Sequence, residues 1–242
     1  MSRLSPHNVI GNPWFSRFNH RALELLFHYI PHGPASDSIF GFLLTRSLVS
    51  TWVFGAAFYV IWAKEDGQKA YRRSYLLRSV VAFVMAVVIT VVPRPWISWP
   101  APARNPDFQG LYPNYFWGQG TNNCFPSHAT LAYFIVAVGF WPINRCLSAA
   151  LLVLELLVVS LPRIYVGGHY PIDVLASMLL GLVAVAVVWN CPVPSWAPNW
   201  LARRGPGTMV RDLLLFIWTF ELADGFRGAE LLLGAARRLG RL

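Results

Sequence analysis

What limits this chain most is a set of five apolar runs, at about residues 39–63, 76–92, 126–141, 147–161 and 171–189. Each is near the length at which an α-helix crosses a bilayer core, roughly 17 to 25 residues. Together they take up most of the 242 residues and leave no room for a separate extramembrane domain. Composition agrees: 55% of residues are hydrophobic and 13% charged, against about 25% charged in an average soluble domain. The expected fold is all-α, a polytopic transmembrane helical bundle of five spans that extends to six if a flanking segment also crosses.

Two segments flank this core of residues 39–190. In residues 1–38, the stretch "FNHRALELLFHYI" alternates apolar and polar residues at helical spacing, which predicts a helix lying at the interface. No cleavable signal peptide is expected there, because His, Pro and polar residues are scattered through it. In residues 191–242, the apolar stretch near the end is interrupted by Glu221, Asp224 and Arg227, which predicts a cytoplasmic or peripheral segment, with a further span as the alternative.

Basic residues orient the bundle. Lys64, Lys69, Arg72, Arg73, Arg78, Arg145, Arg203, Arg204 and Arg211 follow the first, third and fifth runs, so those links are expected in the cytoplasm. The segment 93–125 and the short link near 162–170 then face outward. Arg3, Arg17 and Arg21 conflict with this count, because five spans place the N-terminal segment outside. The net charge of +9 is explained by these flanks and accompanies no nucleic-acid-binding module, so nucleic acid is excluded as a partner. Cys124, Cys146 and Cys191 have no metal-site or redox-motif spacing.

The outward ends collect chemistry. Arg94 closes the second run, Ser127 and His128 open the third, Arg163 closes the fourth, and His169 and Asp173 open the fifth. Arginines offer forked donors to phosphoryl oxygens, and a Ser hydroxyl and helix-start N–H groups add to an anion site. The Gly167-Gly168 pair permits a tight link and lets backbone N–H groups approach phosphate. His169 and Asp173 are four apart and share a helix face, so the carboxylate can hold one ring nitrogen while the other acts as nucleophile. His128 is a candidate general acid, and two histidines with opposite protonation needs predict a bell-shaped pH dependence. A metal pair is the other reading of His169 and Asp173, but zinc takes three or four ligands, so neither metal nor cofactor is expected. Glu155, inside the fourth run, keeps two readings, functional or a structural hydrogen bond.

At these positions the chain resembles the type 2 phosphatidic acid phosphatase family, related to the vanadium haloperoxidases. Arg94-Pro95, Pro126-Ser127-His128 and Arg163-x5-His169-x3-Asp173 stand in the family's order, within residues 76 to 190. Val87 occupies the position of the first motif's Lys, no residue separates Ser127 from His128, and Pro162 precedes Arg163. The resemblance implies a metal-independent membrane phosphatase acting through a phosphohistidine. It implies His169 as nucleophile, Asp173 as its orienting partner, His128 as leaving-group acid, and Arg94, Ser127, Arg163 and Gly168 as phosphate ligands. A lipid phosphate or diphosphate is the implied substrate, of isoprenoid diphosphate, phosphatidic acid or phosphatidylglycerophosphate type. The expected place is a bacterial cytoplasmic membrane, with the site facing the periplasm or exterior and membrane lipids as the other partners. Two alternatives stay open: a phosphotransferase using the same site, and a non-catalytic lipid-phosphate binding relative.

Overall fold

The computed structural model describes residues 13–45, 48–91, 99–112 and 124–192, together with 212 and 214. The elements are helices α1 (Pro13–Tyr29), α2 (Pro34–Thr45), α3 (Leu48–Ala63) and α4 (Lys69–Val91), a 3-10 turn (Pro102–Arg104), the single turn α5 (Pro106–Gln109), α6 (His128–Gly139), α7 (Arg145–Tyr165) and α8 (Pro171–Asn190). No strand forms among the described residues, so the all-α expectation holds.

Among the described residues, three helices are long and apolar enough to cross a membrane: Lys69–Thr90, Arg145–Tyr165 and Pro171–Asn190. The other two expected spans are not matched by helices of that length among the described residues. Within the run 39–63 the described helices are α2 and α3, on either side of residues 46–47, and the third run gives the shorter apolar helix His128–Gly139. Residues 193–242, apart from 212 and 214, lie outside the described residues, and the C-terminal span alternative lies there with them.

Helices α4, α6, α7 and α8 run alternately up and down around one core. Phe54 and Phe58 of α3, Leu76 and Ala82 of α4, Leu131 and Ile135 of α6, and Val185 of α8 are buried in it. Small residues set the spacing, as in other membrane bundles: a Cβ at Gly139 would run into the Ser79 side chain, so only glycine lets α6 lie this close to α4. The outward faces stay apolar, with Val84, Val88, Leu157, Leu179 and Val187 about half exposed. That surface suits lipid rather than water.

Helix α7 is not regular. Between Arg145–Leu154 and Leu161–Tyr165 it widens into a π turn, Glu155–Ser160. Pro162 accounts for this, because its ring clashes with the carbonyl four residues back and it has no N–H to donate. Widening the preceding turn lets the helix pass the proline, and it turns Glu155 and Ser160 into full burial.

Arginines at the start of α4 close the ends of its neighbours. Arg73 Nε donates to the Trp62 carbonyl at 3.1 Å, and Arg72 Nη2 to that of Lys64 at 2.8 Å. Arg78 reaches the carbonyls of Trp189 and Cys191. These satisfy acceptors that a helix C-terminus leaves open. Arg72 also pairs with Asp66 and Arg73 with Glu65. Residues read from sequence as orientation markers therefore also serve as caps at the end of the bundle opposite the candidate site.

Candidate active site

Alternating direction brings the C-terminal ends of α4 and α7 and the N-terminal ends of α6 and α8 to one end of the bundle. At that end, His128 Nε2 lies 3.3 Å from Thr90 Oγ1, which joins α6 to α4. The Ser127 N–H donates to Ser177 Oγ at 2.9 Å, and Ser177 Oγ donates to the Asp173 carbonyl, which joins α6 to α8. Ser127 is the N-cap residue of α6 and is completely buried. Of the expected site residues, His128, Ser127, Arg163, His169 and Asp173 thus belong to converging helix ends. Arg94 lies outside the described residues.

The link between α7 and α8 is built around Gly167. Its φ of 73° lies in the left-handed region, and an added Cβ would fall 2.8 Å from Ala103 Cβ and about 3 Å from the Tyr112 ring. Gly168 has a different place: its N–H donates to the Arg163 carbonyl at 2.9 Å, as does that of His169 at 3.2 Å. The Gly168 amide is thus committed to closing α7 rather than pointing at a ligand. Arg163 Nη1 donates to the Val159 carbonyl at 2.7 Å, and its side chain is half-buried.

Asp173 is fully buried at the third position of α8, and its Oδ2 accepts from the N–H of Tyr170, capping the helix. The same carboxylate accepts from Trp99 Nε1 at 3.1 Å and from the Cys124 thiol at 3.2 Å. His169 Nδ1 stands 3.9 Å from Asp173 Oδ2, within ion-pair range but beyond hydrogen-bond length. Cys124, His169 and Asp173 have ligand atoms within 4.8 Å of one another, a donor set that could hold a metal ion. Cysteine spacing along the chain did not reveal this set, because Cys124 arrives from a loop that the fold lays across α8.

That loop is fastened at several points. Ala103 N–H donates to the Gly167 carbonyl, Asn105 Nδ2 to the Tyr170 hydroxyl at 2.9 Å, and the Tyr112 hydroxyl to the Ile164 carbonyl. Burial pushes the phenols of Tyr112 and Tyr170 above their ordinary range, so both stay neutral. Helix α1 covers the same end. Phe15 packs edge-on against Trp99 and Tyr170, and His20 stacks on Phe108. Buried Asn19 accepts from the Ile172 N–H at 3.3 Å, capping α8 from another helix. The segment expected to lie at an interface is thus seated on the site end, which places Arg17 and Arg21 there too.

Behind Ser127 runs a buried chain that sequence reasoning missed. Ser127 Oγ is 3.0 Å from Thr130 Oγ1, Thr130 Oγ1 is 2.8 Å from Ser160 Oγ, and Ser160 Oγ donates to Glu155 Oε1. Ser160 and Glu155 join it only because of the π turn.

Comparison with known proteins fits this arrangement. YbjG of Escherichia coli (strain K12), provisionally named an undecaprenyl-diphosphatase, is 26% identical over 114 residues, 44% of this chain and 57% of that protein. Undecaprenyl-diphosphatase BcrC of Bacillus subtilis (strain 168) is 25% identical over 167 residues, 67% of this chain and 77% of that protein. The bacitracin transport permease protein BcrC of Bacillus licheniformis is 34% identical over 82 residues, 34% of this chain and 40% of that protein. The first and third of these matches therefore span less than two thirds of the relative's own length. No solved structure matches the chain. The family model described as the PAP2 superfamily matches residues 73–197, which takes in most of α4, all of α5 to α8 and every expected site residue. Matched over more than half its length, the chain belongs to the PAP2 superfamily.

Proposed function

We propose that the chain is an integral membrane phosphatase that hydrolyses an isoprenoid diphosphate, releasing inorganic phosphate and the lipid monophosphate. The observation that carries this reading is the convergence, at one end of an apolar bundle, of the helix ends that bear His169, Asp173, Arg163, Ser127 and His128. Relatives named as undecaprenyl-diphosphatases support the choice of lipid. A headgroup presented from the bilayer reaches such an end without leaving the membrane.

In the proposed reaction Asp173 faces His169 Nδ1, so Nε2 is the nucleophile. The 3.9 Å gap shortens as phosphate draws the ring in, a tightening common between resting sites and reacting complexes. Nε2 attacks the terminal phosphorus, the bond to the bridging oxygen breaks, and protonated His128 gives its proton to that oxygen. Water then attacks the phosphohistidine while His128 takes a proton from it, and phosphate leaves. Arg163, Ser127 and Arg94 hold the phosphoryl oxygens. The Gly168 amide joins them only by releasing the Arg163 carbonyl.

We further propose that the run holding α2 and α3 crosses once beside α4, α6, α7 and α8, giving five crossings, with the site at the outer face of a bacterial cytoplasmic membrane. The mechanism uses no metal. Phosphate release from an isoprenoid diphosphate in detergent, with a chelator present, tests this reading. Wild type should turn over, and His169→Ala and His128→Ala should lose at least about a hundredfold. Chelator-sensitive turnover would move the chemistry to the Cys124, His169 and Asp173 donor set. Release only on addition of an acceptor alcohol would make the protein a phosphotransferase. An unaffected His169→Ala would overturn the nucleophile.

A further inference from the structure

The hydroxyl chain behind Ser127 ends on an acid that the reaction above does not use. Glu155 is fully buried, and its Oε2 has no hydrogen-bond partner among the described residues. Its Oε1 takes the Ser160 hydroxyl, which continues through Thr130 to Ser127. Each hydroxyl has one proton to give, so three in series must all point the same way.

We propose that Glu155 is a positioning residue for phosphate binding, because the direction of this chain decides whether Ser127 offers phosphate a proton or a lone pair. The inference rests on reading Ser127 as a phosphate ligand. With a carboxylate at its end, the chain runs inward: Ser160 donates to Glu155, Thr130 to Ser160, and Ser127 to Thr130. Ser127 then faces a phosphoryl oxygen with lone pairs only, and the two repel. With a proton on Glu155 the chain reverses. Glu155 donates to Ser160, Ser160 to Thr130 and Thr130 to Ser127, which frees the Ser127 proton for phosphate. The reversal takes one proton from the medium onto Glu155 and turns three hydroxyls; no bond between heavy atoms changes.

The surroundings leave few other groups to act on this acid. Arg163, on the same helix, is the charged group whose field reaches Glu155, and α6 brings Tyr133 to the Arg163 side. Helices α2 and α3 also pack near the π turn, and their titratable side chains, Asp37 and Tyr59, are not among the groups that act on Glu155. The π turn supplies the geometry, since it sets Glu155 and Ser160 on the face that meets Thr130.

The test is a double-mutant cycle on the full chain in detergent, read as the inhibition constant of inorganic phosphate from neutral to alkaline pH. Glu155→Gln keeps size and shape without a titrating proton. The ratio of wild-type to Glu155→Gln constants should change about tenfold over this range, the worth of one hydrogen bond to a charged group. In the Ser127→Ala background the same ratio should stay flat. A flat ratio with Ser127 in place, or an undiminished change without it, overturns the inference. A second readout is independent of turnover: an infrared neutral-acid carbonyl band, assigned by its loss in Glu155→Gln, should shift when phosphate binds wild type but not Ser127→Ala. No such band at neutral pH also overturns it. These failures leave the phosphatase reading standing, whereas a wild type that neither binds phosphate nor releases it overturns that reading itself.

Discussion

The Asp173 carboxylate accepts from Trp99, Cys124 and the Tyr170 N–H while standing 3.9 Å from His169. Asp173→Asn sets a side-chain NH2 among these donors and should cost about 3 kcal/mol of stability, seen as a lower melting temperature, as well as turnover. The two glycines before it should separate cleanly. Gly167→Ala forces a left-handed φ and a 2.8 Å approach to Ala103, for about 2 kcal/mol. Gly168→Ala meets nothing closer than 3.4 Å and should melt close to wild type. Sequence order and spacing pointed to His169, Asp173, Arg163 and Ser127, because His169 and Asp173 share a helix face and the other two fall at the outward ends of apolar runs. Trp99 and Cys124 were illegible for the opposite reason: 74 and 49 residues separate them from Asp173, and only the folded loop makes the contact.

Whole elements carry the next effects. Asn19 on α1 caps α8 in place of a local residue, so Asn19→Ala should cost about 1 kcal/mol and speed hydrogen exchange at the Ile172 amide. An unchanged Ile172 rate would detach α1 from the site end. At the far end, the Arg72 hydrogen bond, then the Gln68 N–H, holds the Asp66 carboxyl below its ordinary range. A depressed folded value stabilises above the unfolded carboxylate pKa, and that stability is lost as pH falls through the folded one. Acid unfolding should thus start at higher pH in Asp66→Asn, by a small margin because the group is exposed. The length of the apolar runs found the long helices, since a lipid-facing surface must stay apolar along its whole length. It could not find the π turn, which answers to the single Pro162.

For the molecule as a whole, the arrangement fixes which ends share a side. Helix α1 with Arg17 and Arg21 sits on the end that holds His169, while Arg72, Arg73, Arg78 and Arg145 gather at the other. The N-terminal arginines that opposed the sequence-based orientation are thus paired with the site, and the larger basic cluster still marks the opposite side. The native cysteines report on this. Cys146 and Cys191 are exposed at the basic end, whereas Cys124 is buried in the site. An impermeant maleimide should therefore label the first two only in inverted vesicles, and labelling in right-side-out vesicles would invert the topology. The step that defines the proposed reaction is transfer of the terminal phosphate to His169, and rapid quenching captures it. An isoprenoid diphosphate labelled in its terminal phosphate should leave acid-labile label on the chain, mapped to His169 and absent from His169→Ala. Turnover with no labelled protein, or with the label on another residue, would contradict it.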